Sequence, residues 1–252
     1  MHCDWAMLHQ PAAGKRVLVV GCNTGLDCKT FVDAGAKSVH GLDVDEQIGR
    51  DYQNSRVKYF RASAEKMPFR DATYDLVFSF ATMEHVPDIG AAFREMGRVT
   101  KPGGLIYCLA SPLWNSRYGH HFPQYFADVP WIHLRADQQA VEDYLVTNDV
   151  QIAVENIDAP YVAKYMFTPE YFNRTASTEY LRACEQLTDF EPLRNALDLE
   201  PAESIAPDVL ADLETRGYTR DELLAVTHTF IARKRNDAAP RGPFAFLRRA
   251  AG

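Results

Sequence analysis

The sequence lacks the marks of a secreted, membrane-bound or polyanion-binding protein. Its five cysteines, Cys3, Cys22, Cys28, Cys108 and Cys184, are scattered and odd in number, with no Cys-x-x-Cys pair. That excludes a disulfide framework and a cysteine-rich zinc site, and it predicts a reducing, cytoplasmic setting. Apolar runs such as residues 17–20 are far too short to cross a bilayer. The opening residues Met1, His2, Cys3, Asp4 and Trp5 have neither the basic start nor the apolar stretch of a signal peptide. Basic residues are in deficit, with 27 Lys and Arg against 34 Asp and Glu and a formal net charge of −7. A general nucleic-acid partner is therefore not expected, because phosphate neutralisation needs an excess of Lys and Arg. No internal repeat is visible.

What is present is an ordinary globular composition, 46% hydrophobic and 24% charged over 252 residues, enough for one full core. The first 111 residues alternate between strand and helix patterns. Residues 16–21 form a short β-branched run closed by Gly21, and residues 26–34 read as a helix ended by Gly35, with Leu26, Phe31 and Val32 as buried candidates. Further strands are expected at 38–43, 57–61, 74–80 and 105–110. Asp88 is a plausible N-cap for a helix whose apolar face is Ile89, Ala92, Phe93, Met96 and Val99. Five strands interleaved with helices predict an α/β fold, a doubly wound and mostly parallel sheet with helices on both faces.

After residue 111 the pattern breaks. Residues 112–135 contain Trp114, Tyr118, His120, His121, Phe122, Tyr125, Phe126, Trp131 and His133, more than double the chain's average density of rings. A long insertion of this kind after strand five predicts a lid or binding segment. Helices are expected at 137–147, 176–187 and 208–216, and a late strand at 225–232. The expected organisation is a cofactor-binding core at 1–111, an acceptor-binding lid at 112–200, a return to the core sheet at 201–235 and a Pro/Ala/Arg-rich tail at 236–252. Arg241, Arg248 and Arg249 make that tail basic around Phe244, Phe246 and Leu247.

In open α/β sheets, ligands lie beyond the C-terminal strand ends near the switch in strand order. Strand one here ends in Gly21, Cys22, Asn23, Thr24 and Gly25, where the glycines permit a tight turn and close approach of a ligand. Strand two ends in Asp43, 22 residues after Gly21, placed to accept hydrogen bonds from two ribose hydroxyls. A dinucleotide fingerprint would need further glycines where Asn23 and Leu26 stand, and no Gly-Lys-Ser/Thr follows to make a P-loop. A nucleoside without phosphate is the cofactor these residues suit.

Together the blocks resemble those of class I S-adenosylmethionine-dependent methyltransferases of the small-molecule type. Residues 17–25 are similar to the glycine-rich first motif, and Gly41, Leu42, Asp43, Val44 and Asp45 to the acidic motif after strand two. Residues 62–69 look like the segment framing adenine, and residues 74–78, 83–87 and 98–104 match later blocks in the right order. The resemblance covers about residues 14–111. It implies that Gly21, Cys22, Asn23 and Gly25 line the methionine part, Asp43 holds the ribose, Val44 stacks under adenine, Ser63 and Ala64 meet the adenine edge, and Phe80 begins the wall near the sulfonium. Two departures stand out. Asn23 replaces a common glycine, which a left-handed asparagine can accommodate, and Ser63 stands where an acid often reads the adenine amine.

Methyl transfer is an in-line displacement that gains chiefly from positioning, and an alcohol acceptor gains further from a base. Histidine titrates in the right range. His85, after strand four, and His120 and His121, in the insertion, are the catalytic candidates. Trp114, Tyr118, Tyr125 and Trp131 are candidate walls for the acceptor, since their rings offer large faces with polar tips. Trp5 is a candidate cover for the cofactor. No metal site is expected, because the histidines form no His-x-His or His-x-x-x-His spacing. The expectation is a methyltransferase acting on a small-molecule hydroxyl, of a sugar or glycosylated natural product by preference. The alternatives are an N- or C-methyltransferase of a small molecule, and a cofactor-binding pseudoenzyme that regulates a partner. A nucleic-acid methyltransferase is disfavoured by the charge and by Ala81, Thr82, Met83 and Glu84 where an Asn-Pro-Pro-Tyr-type motif would stand.

Overall fold

A computed structural model describes residues 1–152, 154 and 157–236. The chain begins with helix α1 (His2–His9), then strand β1 (Arg16–Val20), whose last four residues are all buried, as a strand covered on both faces requires. Helix α2 (Leu26–Asp33), β2 (Ser38–Asp43), β3 (Val57–Arg61), β4 (Tyr74–Phe80), α3 (Ile89–Val99) and β5 (Thr100–Ala110) complete the expected alternation. Later come α7 (Ser177–Glu185), β6 (Phe190–Leu199) and β7 (Ala225–Lys234), the last a longer form of the expected late strand. These strands make one sheet in the order β3-β2-β1-β4-β5-β7-β6. The first five run parallel, β7 is antiparallel to β5, and β6 is antiparallel to β7. Strand order reverses between β1 and β4, which opens a crevice at their C-terminal ends.

Residues alternate across the sheet. Val17, Val19 and Phe78 face one layer, where Cys3 and Ala6 of α1 and Phe31 and Val32 of α2 cover them. Leu18, Val20 and Val77 face the other, under Phe93 and Met96 of α3 and Tyr180 and Cys184 of α7. The α3 face is buried at all five predicted positions, and the Asp88 carboxylate accepts the Ala91 N–H at 2.8 Å as the N-cap. Leu26 differs from expectation: it sits in the first turn of α2 and projects into solvent at 58% exposure.

Strand β6 falls within the stretch expected as an insertion, yet it belongs to the core sheet. Its sequence hides it, because an edge strand carrying Pro192 needs no apolar face of its own. The remaining insertion folds as α4 (Ile132–Arg135), α5 (Gln138–Thr147) and α6 (Ala159–Phe167). Helices α8 (Pro207–Thr215) and α9 (Arg220–Leu224), in the stretch expected to return to the core, pack on it instead. The aromatic-rich segment supplies two small cores. Trp114, Trp131, Leu134 and Phe172 pack with Ile205, Leu213, Leu223 and Leu224, while Tyr125, Phe126 and Ile132 pack with Val141, Leu145, Val162 and Met166. A strap at 171–173 ties this layer to the turn after β4. There the Asn173 amide donates to the Met83 and Val86 carbonyls at 2.7 and 2.9 Å. Apart from Asn236, the basic tail lies outside the described residues.

Phe93 is fully buried against Phe230 at the centre of the α3–sheet contact. Phe93→Ala should cost about 3–5 kcal/mol in chemical denaturation. Asp88→Ala, which removes the cap and an exposed ion pair with Arg94 at 3.9 Å, should cost about 1 kcal/mol.

Candidate functional site

A cavity of about 480 Å³ opens at the C-terminal ends of β1, β2 and β4. Its walls include Gly21, Asn23, Asp43, Val44, Ser63 and Ala64, six of the nine residues expected to bind a cofactor, together with Thr82 and His85. Gly21 sits at φ +73°, and a β-carbon there would lie 1.9 Å from the Thr82 hydroxyl oxygen, so only glycine fits. Asn23 adopts φ +42°, the left-handed backbone that its replacement of a glycine requires.

The loop's N–H groups are largely committed to the protein. Those of Gly21 and Cys22 donate to the Leu42 carbonyl at 2.8 and 3.2 Å, and that of Gly25 donates to the Cys22 carbonyl. The Asn23 N–H donates to one Asp43 oxygen at 2.8 Å, and the Asp45 N–H to the other at 3.0 Å. This is not the fan of free donors that cradles a pyrophosphate. The lining also carries four carboxylates, Asp43, Asp45, Glu65 and Glu170, and neither Lys nor Arg among the described residues. Such a cavity repels phosphate and favours a cationic guest. The residues present therefore fit a sulfonium nucleoside.

Cys22, Gly25 and Phe80 stand outside this lining. The Cys22 side chain is buried in the core, with its sulfur against Gly41. Gly25 caps α2 at φ +96°, where a β-carbon would meet the Tyr59 hydroxyl at 2.3 Å. Phe80 stacks on His2 at 4.1 Å, and Trp5 sits edge-on to that imidazole. Glu65 and Glu170 were not singled out from the sequence. Glu65 accepts the Ser63 hydroxyl at 3.0 Å and the Asp88 N–H at 2.7 Å, placing an acid beside the serine that replaces one in the resembling family. Glu170 reaches the cavity only because the strap at 171–173 docks, which no local pattern reveals.

The three candidate histidines separate. His85 lines the cavity, and its Nδ1 lies 2.5 Å from the Tyr171 carbonyl, an acceptor, so Nδ1 carries the proton and Nε2 keeps its lone pair. Burial lowers the His85 pKa from its ordinary value, partly opposed by that hydrogen bond and by Asp43. His121 packs edge-on against His85 at 5.0 Å, and burial lowers its pKa to about 4. His120 points elsewhere. It is fully buried, its Nδ1 accepts the Phe122 N–H at 3.0 Å, and burial lowers its pKa to about 2. Beneath His85, Glu84 is 2% exposed and burial raises its carboxyl to about 8.

The candidate acceptor walls lie apart from the cavity. Trp131 is fully buried with its indole N–H on the Asn115 carbonyl at 3.1 Å, and Trp114 and Tyr125 are core residues of the insertion. Tyr118 is half-buried near Arg117 and His120. The local excess of rings builds the insertion's interior, so the aromatic argument for a sugar loses its footing.

Residues 18–108 match the family model described as "Methyltransferase domain". An uncharacterized methyltransferase of Mycobacteroides abscessus is 36% identical over 115 residues, 43% of this chain and 44% of that protein. A ubiquinone biosynthesis O-methyltransferase of Ralstonia nicotianae is 32% identical over 114 residues, 42% of this chain and 48% of the relative. The matched regions thus span under half the length of these curated relatives. An S-adenosylmethionine-dependent methyltransferase structure from Mesorhizobium loti superposes with a TM-score of 0.55 at 18% identity, covering 92% of this chain and 98% of that one. No helix among the described residues is long and apolar enough to cross a membrane. Residues 18–108 are thus similar to a methyltransferase domain, and the sheet around them has the Rossmann-like fold of the S-adenosylmethionine-dependent methyltransferase structure it superposes on.

Proposed function

We propose that the protein transfers a methyl group from S-adenosylmethionine to the hydroxyl of a small molecule, with His85 accepting the hydroxyl proton. One observation carries this reading: a neutral imidazole at the cavity wall, with Nδ1–H on the Tyr171 carbonyl and Nε2 free. S-adenosylmethionine supplies an electrophilic methyl group on a sulfonium. Asp43 would hold its ribose, Val44 its adenine face, and Ser63, Ala64 and Glu65 its adenine edge. Gly21 and Asn23 would line the methionine part. The carboxylates around the cavity favour a positive guest, and they equally disfavour a nucleic acid as acceptor.

A hydroxyl is a poor nucleophile until its proton leaves, whereas an amine needs only to be neutral. A buried neutral imidazole suits the first task, because its lone pair stays available below the ordinary histidine pKa. Helices α4–α6 together with α8–α9 would cover the acceptor, with Glu170 and the Tyr171 carbonyl brought to the cavity by the strap. The five buried, unpaired cysteines support a reducing, cytoplasmic setting.

Asp43→Ala should weaken S-adenosylmethionine binding by about 30–100-fold in calorimetry, since it removes charge-assisted hydrogen bonds worth about 2–3 kcal/mol. An unchanged affinity would remove Asp43 from the cofactor site. His85→Ala should lower kcat by about 10²–10⁴-fold while cofactor affinity changes only a few-fold. Because burial lowers the His85 pKa, the rate should stay level from pH 8 through 6.5 and fall only below that. A wild-type profile already declining above pH 7, or full activity in His85→Ala, contradicts the assignment.

A further inference from the structure

Glu84, His85 and His121 cluster just after β4, with His85 on the cavity wall. One ligand atom from each lies within 4.8 Å of the others. Each side chain also has an atom left over. The Ser111 N–H donates to Glu84 Oε1 at 3.3 Å, while Oε2 is buried without a partner. His85 gives its Nδ1 proton to the Tyr171 carbonyl at 2.5 Å, leaving Nε2. The Nε2 of His121 is buried and has no partner. His121 also holds φ +68°, a backbone state that non-glycine residues rarely adopt and that here aims its ring at His85.

An unpartnered buried carboxylate oxygen beside an unpartnered buried imidazole nitrogen is costly, and native proteins seldom leave such atoms without a reason. Imidazoles that give one N–H to a backbone carbonyl and hold the other nitrogen free have the outer-shell arrangement of metal-ligating histidines. Two imidazole nitrogens and a carboxylate suit zinc-class ions and leave coordination positions open.

We propose that Glu84, His85 and His121 form a binding site for one divalent transition-metal ion of the zinc class, at the wall of the cofactor cavity. At bonds of about 2.1 Å, tetrahedral ligand atoms sit about 3.4 Å apart, so ligand atoms at the 4.8 Å limit close by about 1.4 Å. Side-chain torsions of Glu84 and the two rings supply that movement. Two ligands follow strand β4 directly and the third comes from the insertion 36 residues further on, so the site exists only when the insertion is docked. This inference takes up the His85 Nε2 that the hydroxyl reading leaves free, so an ion bound there during turnover would exclude proton acceptance by that nitrogen.

The test starts from full-length protein stripped with chelator and desalted. Titration with Co²⁺, followed by visible d–d absorption, should saturate at one ion per chain, and Zn²⁺ should displace it. His121→Ala and Glu84→Gln should each weaken uptake by about 100-fold while S-adenosylmethionine binding stays within a few-fold, which verifies that the variants are folded. Should Glu84→Gln fail to fold, His121→Ala alone decides. His2→Ala, outside the cluster, should leave uptake unchanged. No stoichiometric uptake by the wild type, or uptake unaltered in His121→Ala, overturns the proposal. Methyl transfer assayed in chelator, with His85 Nε2 unbound, reports on the hydroxyl reading, so a failure of ion uptake and a failure of proton acceptance remain distinguishable.

Discussion

The site depends on one docking contact, the strap at 171–173 laid over the turn that follows β4. The Asn173 amide satisfies two carbonyls of that turn, and its backbone N–H donates to the Glu84 carbonyl at 3.1 Å. A 3-10 turn at Met83–His85 leaves carbonyls without intrahelical partners. Here the insertion supplies the missing donors, and in return it gains a fixed anchor on the rigid sheet. Through this contact the His85 tautomer is set by Tyr171, Glu170 reaches the cavity, and His121 comes beside His85. None of these relations is local in sequence.

Electrostatics divide the crevice into two zones. Around β2, carboxylates are solvated and hydrogen-bonded to backbone N–H groups, which suits an ionised wall facing a cation. Beneath His85 the setting is dry: the Glu84 carboxyl is pushed up and the surrounding imidazoles are pushed down, all toward their neutral forms. The two zones of the crevice are separated by only a few side chains. That gradient comes from burial, with no need for a large net field.

Much of the sheet was legible because parallel strands buried on both faces read as apolar runs, and because α3 repeats its apolar face at helical spacing. Gly21, Asn23 and Asp43 were legible for another reason, since a tight turn and an acid at a strand end are local requirements. The edge strand β6 was not, because only one of its sides must be paired and its residues are free to be polar. Trp114, Tyr125 and Trp131 misled because a dense set of rings in an insertion serves equally well as a pocket wall or as a small core. Only tertiary contacts distinguish the two. His121 was singled out for its residue type, but its partnership with Glu84 depends on a positive φ that no spacing rule encodes.

Gly21 abuts Thr82 so closely that no side chain can stand between them. The glycine turn after β1 and the start of the turn bearing Glu84 and His85 are therefore in direct contact. A guest that shifts the first loop must move the second with it or not enter at all. The two turns accordingly form one continuous wall of the crevice, with no side chain of residue 21 between them.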